Sequence, residues 1–318
     1  MRAVFLDYAT LNPADLDLTR LHQGFSELVL HDMTGPDDVF ARMAGFDVVI
    51  VNKVRLTAAD FSDPQLKLVL VAATGTDNVD KAAATAAGVV VCNVTAYGTA
   101  TVAQHTLMLM LLLATQASRY QADVASGRWS RSPMFCLMDY PIVELSGRTL
   151  GLIGYGELGR QVGALGEAFG MQVLVMGRAG VDYADGTQRV DFETLLARSD
   201  VVSLHCLLTP ETAHLMNADA FANMKPGAFL VNTARGGLVD ETALIHALES
   251  GHLGGAGLDV VAMEPPPADL PILACTHPNL IITPHSAWAS QEARQRIVEI
   301  MRENLDAFIE GAPINRVA

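Results

Sequence analysis

Cysteine is scarce in this chain. Its four residues, Cys92, Cys136, Cys206 and Cys275, stand far apart in 318 positions, with no Cys-x-x-Cys pair. That pattern offers no disulfide framework and reads as reduced core thiols in a cytosolic, cytoplasmic protein; no metal is expected. Cationic residues are also few: 21 Lys and Arg against 35 Asp and Glu leave a net charge of −14. Nucleic acid and an anionic membrane both need a basic face, so neither is expected as a partner. An anionic substrate would need a local cationic pocket. No apolar run approaches the ~20 residues of a membrane span. The most apolar one, residues 107–114, is flanked by Gln104, His105 and Gln116 and reads as a buried helix. A strand-like run begins at Ala3, so no signal peptide is expected. Solenoid repeats and low-complexity segments are missing as well. What remains is a chain with half its residues apolar, ample for sizeable cores, at a length for which two domains are the natural prior.

One stretch organises the rest. Residues 149–153 read as a short buried strand, followed by Gly154, Gly156 and Gly159 in Gly-x-Gly-x-x-Gly spacing and then by a helical pattern. This is a dinucleotide fingerprint. Its first glycine allows the tight turn, its second lets backbone approach the pyrophosphate, and its third lets the helix pack on its strand. The helix N-terminus then faces the anionic phosphates.

Strand and helix signals alternate on both sides of this stretch. Before it, strand-like runs lie at 3–6, 28–31, 48–51, 68–72 and 89–92, with helical patterns such as 36–44 and 80–87 between them. A long apolar helix spans 99–118, and residues 127–148 look irregular, with Trp129 and Tyr140 packing either on a partner subunit or internally. From 149 on, strands are expected at 149–153, 172–176, 201–204, 229–232, 255–259 and 280–283, and helices at 240–250, capped by Asp240 and Gly251, and at 289–310. Such alternation implies α/β architecture: two doubly wound parallel-sheet domains, with ligands at the carboxyl ends of the strands. The expected division is a Rossmann dinucleotide-binding domain at 99–286, inserted in a discontinuous flavodoxin-like substrate domain at 1–98 and 287–318.

Three strand ends of the second domain each carry one ionisable group: Arg235, Glu264 and His285. Hydride transfer to a 2-keto acid needs these types. A guanidinium holds the carboxylate and polarises the keto oxygen. A protonated imidazole delivers the proton as hydride arrives, and a neighbouring carboxylate stabilises its charged form. In the first domain, the loops Asn52-Lys53-Val54 and Ala73-Thr74-Gly75-Thr76-Asp77-Asn78 follow strands; the second is either a seat for a carboxylate or an ordinary glycine turn.

At this point the chain resembles the D-isomer-specific 2-hydroxyacid dehydrogenases over nearly its whole length. The specific pieces are Gly154-Tyr-Gly-Glu-Leu-Gly159, the run from Met224 through Asn232-Thr-Ala-Arg235-Gly-Gly to Asp240, Gly257-Leu-Asp-Val-Val-Ala-Met-Glu-Pro265 and Thr283-Pro-His285. The resemblance implies Arg235 as substrate anchor, His285 as acid/base and Glu264 as its orienting carboxylate. It implies substrate contacts at Asn52, Lys53, Thr74, Gly75 and Trp288; Trp288 either narrows the pocket or packs between domains. Cofactor contacts implied are Gly154, Gly156, Glu157, Leu158, Gly159, Gly177, Arg178, His205, Cys206, Thr233 and Ala234, with Asp259 on the nicotinamide carboxamide. The family's usual homodimer is also implied. His285-Ser-Ala-Trp-Ala-Ser290 and Asn52-Lys-Val54 look most like the glycerate dehydrogenase/hydroxypyruvate reductase branch, whose small 2-keto acids are hydroxypyruvate and glyoxylate. Glu264 separates the chain from the similar formate dehydrogenases, which carry glutamine there.

Two departures stand out. NAD enzymes usually end the second nucleotide-domain strand with an acidic residue for the ribose 2′-OH. Here the chain reads Met176-Gly177-Arg178, which suits a 2′-phosphate and favours NADP(H), with NAD(H) possible and Arg178 a surface residue in that case. Gln104 stands where relatives often have Glu, a position that touches interdomain packing. A nucleotide-sensing corepressor and a phosphite-oxidising enzyme are the alternatives to a keto-acid reductase; turnover tests separate them.

Overall fold

Runs of Val, Leu and Ile between glycines and aspartates set the strands of two parallel sheets. The structure, a computed structural model, describes residues 1–177, 180, 181 and 187–318. The chain divides into two compact units, Met1–Gly98 with Trp288–Ala318 and Thr99–Ala287.

The first unit holds β1 (Arg2–Phe5), β2 (Glu27–Leu30), β3 (Val48–Val51), β4 (Leu68–Val71) and β5 (Val90–Cys92), all parallel, in the order β2-β1-β3-β4-β5. This is the flavodoxin-like strand order. β3 and β4 are buried at every residue, as a parallel sheet covered on both faces requires. The helix Gln291–Ile309 starts at an N-cap, Ser290, whose hydroxyl accepts the Ala293 N–H at 3.2 Å. It buries Ile297, Val298, Met301 and Leu305 in a core with Phe5, Ile50 and Leu70. At ~1.5–3 kcal/mol for each buried side chain of this size, that face alone holds the helix to its sheet. The run expected as one helix at 36–44 divides into a 3₁₀ turn, Pro36–Asp38, and a short α-helix, Val39–Met43.

The second unit holds β6 (Thr149–Ile153), β7 (Gln172–Met176), β8 (Arg189–Val190), β9 (Val201–Leu204), β10 (Phe229–Asn232), β11 (Gly255–Leu258) and β12 (Leu280–Ile282). All neighbours run parallel, in the order β12-β11-β10-β9-β6-β7-β8. Among the described residues the sheet therefore has seven strands where six were expected; β8 is two residues long and pairs with β7. Strand order reverses between β6 and β9, the switch point at which such sheets bind ligands.

The long helix expected at 99–118 is broken. It runs Thr99–Thr115, Gln116 turns left-handed at φ 55°, and a second helix, Ala117–Ala125, leaves at 66°. Leu109, Met110 and Leu113 of the first segment pack on Leu150, Leu152 and Val231. Residues 127–148 are irregular apart from the 3₁₀ turn Trp129–Arg131. Among the described residues no single helix is long and apolar enough to cross a membrane.

Candidate active site

The glycine-rich turn follows β6. Gly154 has φ +97°, and a Cβ there would lie 2.5 Å from the His205 carbonyl carbon, so the β6 and β9 ends touch through it. A Cβ on Gly159 would lie 2.1 Å from the Gly154 oxygen, which only glycine avoids. Gly156 is different: a Cβ there meets nothing within 4 Å. It stands at the N-cap position of the helix Glu157–Ala168. Open space in front of a helix N-terminus is what a dinucleotide's pyrophosphate needs, so the residues present fit that group. Glu157 turns its carboxylate to the Thr99 hydroxyl at 2.5 Å, and Leu158 is half-buried.

His205 and Cys206 follow β9, both half-buried. His205 Nε2 meets Ser203 Oγ at 2.9 Å. Burial pushes its imidazole down to about 4, so it is neutral at working pH. Gly177 follows β7 and donates its N–H to the Val190 carbonyl at 2.8 Å. Arg178 lies outside the described residues.

Arg235 follows β10. Its carbonyl accepts the buried Asn232 carboxamide N–H at 2.9 Å, and its guanidinium donates to the Ala234 carbonyl at 2.8 Å. The next residue, Gly236, has no room for a side chain: a Cβ would stand 1.9 Å from the Val261 oxygen. The loops after β10 and β11 are thus in direct backbone contact. From the second of them Glu264 folds back, Oε1 accepting the Val261 N–H at 3.0 Å, while Oε2 meets His285 Nδ1 at 2.5 Å. Both side chains of this pair are about one-third exposed. His285 has φ +52°, unusual for a residue with a Cβ. Its N–H donates to the Asp259 carbonyl at 2.8 Å. Arg235, Glu264 and His285 share a cavity of about 160 Å³, with Leu208 and Gly237 on its wall.

Comparison with known proteins shows the family. The family described as D-isomer specific 2-hydroxyacid dehydrogenase, NAD binding domain, matches residues 107–287. The chain belongs to the D-isomer-specific 2-hydroxyacid dehydrogenases. It is 44% identical to the glycerate dehydrogenase of Methylorubrum extorquens, over 99% of this chain and 98% of that one. It is 38% identical to the hydroxypyruvate reductase of Blautia hydrogenotrophica, over 100% and 99%. Among solved structures it is similar to the acyclic imino acid reductase Bsp5 in complex with NADPH and D-Arg, with a TM-score of 0.88 and 26% identity over the whole of both chains.

The remaining expected residues of this 2-hydroxyacid dehydrogenase are placed unevenly. Thr233 and Ala234, just before Arg235, are half-buried. Asp259 is only 1% exposed. Its carboxylate accepts the Thr283 hydroxyl at 2.6 Å and the N–H groups of Ser286 and Ala287 at 3.0 and 2.9 Å. Its side chain therefore shapes the turn beneath His285. Asn52 is 3% exposed, and its carboxamide donates to Thr10 Oγ1 at 3.0 Å. Lys53 is exposed on the same loop, and so is Thr74, whose hydroxyl donates to the Val94 carbonyl at 2.8 Å; Gly75 beside it is half-buried. Trp288 packs edge-on against Tyr97, ring centroids 6.4 Å apart, in the core of the first unit.

Sequence reasoning missed three contributors. Asp7, fully buried after β1, accepts the N–H groups of Asn52, Lys53 and Val54 at 2.8, 2.5 and 2.9 Å and so sets that loop. An acidic residue directly after an apolar strand is a signal that could have found it. Arg189 on β8 is half-buried, its Cβ 3.1 Å from where a Gly177 Cβ would be and its guanidinium 5.6 Å from the Tyr155 ring centroid. The third is the pair His105 and Thr106, in contact with Thr283 and Thr233; a local pattern carries no sign of them.

Proposed function

We propose that this dehydrogenase reduces a short 2-keto acid, hydroxypyruvate to D-glycerate or glyoxylate to glycolate, with NADPH preferred over NADH. The observation that carries the reading is the His285–Glu264 contact at 2.5 Å beside Arg235 in one small cavity.

In the proposed reaction the Arg235 guanidinium binds the substrate carboxylate and polarises the keto oxygen. A reduced nicotinamide, when bound, would supply the hydride. His285, with Nδ1 turned to Glu264, gives the proton on Nε2 to the developing alkoxide, so hydride and proton together complete the two-electron reduction. Glu264, itself held by the Val261 N–H, balances the imidazolium charge before transfer.

Gly154, Gly156, Gly159, Glu157 and Leu158 would hold the pyrophosphate end of the cofactor, and His205, Cys206, Thr233 and Ala234 the rest. The preference for NADP(H) is supported by the missing carboxylate at the end of β7 and by Arg189 beside Gly177, whose charge would suit a 2′-phosphate. A homodimer is part of the proposal. Phe135 is 91% exposed and Met138 75%. The segment that carries them is pinned to the helix Ala117–Ala125: Tyr120 donates its hydroxyl to the Tyr140 carbonyl and accepts the Tyr140 N–H, each at 3.0 Å. Large apolar side chains held out by an ordered segment suit a self-complementary interface. The four cysteines are free, which suits the reducing cytoplasm.

Steady-state reduction of hydroxypyruvate and glyoxylate with NADPH and NADH tests the reading, alongside His285→Asn. The expected result is turnover with higher kcat/KM for NADPH, and a loss of kcat of about 10²–10⁴ in the variant with cofactor affinity retained. Tight cofactor binding without reduction of any keto acid would overturn it in favour of a nucleotide sensor.

A further inference from the structure

One turn of the helix Thr99–Thr115 reaches the loops that carry Arg235 and His285. His105 and Thr106 are consecutive, so their side chains leave the helix about 100° apart, and each meets a different loop. Thr106 is fully buried, and its hydroxyl donates to the Val102 carbonyl at 2.8 Å. A hydroxyl has one proton, so the 2.9 Å contact between Thr106 Oγ1 and Thr233 Oγ1 has Thr233 as donor. Thr233 stands two residues before Arg235.

The same proton accounting fixes the other contact. Thr283 gives its hydroxyl proton to Asp259 Oδ1 at 2.6 Å. His105 Nε2, 2.9 Å from Thr283 Oγ1, must therefore be the donor, which requires the Nε2–H form of the ring. Asp259 passes the constraint on. Its carboxylate accepts from Ser286 and Ala287, its carbonyl accepts from His285, and between these bonds lies the left-handed backbone of His285. A non-glycine residue in that conformation persists only where its surroundings over-determine it.

We propose that His105 and Thr106 are positioning residues for the reduction. His105 sets the imidazole of His285 through Thr283 and Asp259, and Thr106 sets Arg235 through Thr233. The proposal rests on the roles given above to Arg235 and His285. Neither positioning residue touches substrate, and the two act on different steps. His105 governs proton delivery and so kcat; Thr106 governs carboxylate capture and so KM.

Kinetics of His105→Leu, His105→Gln and Thr106→Val test this, with cofactor affinity from fluorescence titration and melting temperature measured on each. His105→Leu keeps bulk and removes the donor: kcat should fall roughly 10- to 100-fold, with KM for the keto acid nearly unchanged. His105→Gln returns an N–H at similar reach and should recover most of that loss. A purely structural role would instead favour leucine, or treat the two alike. Thr106→Val keeps shape but removes the acceptor of the Thr233 hydroxyl, and should raise KM about tenfold while kcat changes little. Equal kcat in the leucine and glutamine variants overturns the proposal, as does a loss that merely tracks melting temperature. Should His105→Leu not fold, Thr283→Val breaks the same relay from its other end, and normal kcat there is equally fatal. Full turnover in His285→Asn and Arg235→Lys would instead sink the reading beneath it. Inactive His285→Asn and Arg235→Lys beside a normal His105→Leu would sink the positioning proposal alone.

Discussion

Acidification from pH 7 to pH 5 should cost the folded state about 2 kcal/mol through His205 alone. The imidazole is withdrawn behind the glycine-rich turn and burial pushes it from 6.5 down to about 4. The unfolded chain takes up a proton as pH falls through ~6.5. The folded chain refuses it until about pH 4. Between those values the unfolded state binds more protons, so stability is fully present above 6.5 and is lost as pH falls. The gap is worth about 3 kcal/mol at its limit, of which about 2 is spent by pH 5. Urea unfolding followed by circular dichroism at pH 7, 6 and 5 reads this directly, on the native chain and on His205→Asn. The asparagine can still meet Ser203 but cannot titrate. The carboxylates Asp15, Asp47 and Asp200, held below the usual range by Arg294, by Lys67, and by the Thr149 N–H with Lys225 respectively, lose their share at lower pH in both proteins. Subtracting the two curves therefore isolates His205. Parallel curves from pH 7 to 5 would refute the argument, whatever their common slope.

Arg189→Ala should lower kcat/KM for NADPH at least about tenfold and leave NADH within about twofold, as expected when a charged hydrogen bond to a 2′-phosphate is lost; binding of 2′,5′-ADP against 5′-AMP by calorimetry checks it without turnover. Phe135→Asp should shift the protein to monomers in sedimentation velocity at micromolar concentration, because a carboxylate cannot be buried unpaired at an interface for less than several kcal/mol; an unchanged sedimentation coefficient at the dimer value removes that face from the interface.

How much of this was legible in the sequence differs from element to element. β6 and β7 end where their apolar runs meet Gly154 and Gly177, and β9 and β10 lie on the apolar runs that end at Leu204 and Asn232. β8 was not legible: Arg189-Val190 has no run of its own and is a strand only because β7 lies beside it. The break at Gln116 escaped notice because neither glycine nor proline marks it, although Gln116 takes a left-handed φ of 55°. In the candidate site, Arg235, Glu264 and His285 could be singled out because each follows a strand of one sheet, and a parallel sheet brings those ends together. The 2.5 Å contact between two of them could not. Asn52 shows the limit most clearly. Its loop was found from its place after β3, but which side chain turns inward was decided by Asp7, 45 positions earlier.

The absent side chain at Gly236 has a consequence for how this enzyme can change. With the Val261 oxygen where a methyl group would stand, Arg235 and Glu264, to which the proposed function gives substrate binding and support of the proton donor, are mounted on one frame. Lengthening either loop would move both at once. New substrate ranges are therefore most accessible by exchanging side chains around the frame, such as Leu208 on the cavity wall, while insertions there would extinguish the chemistry before they could redirect it.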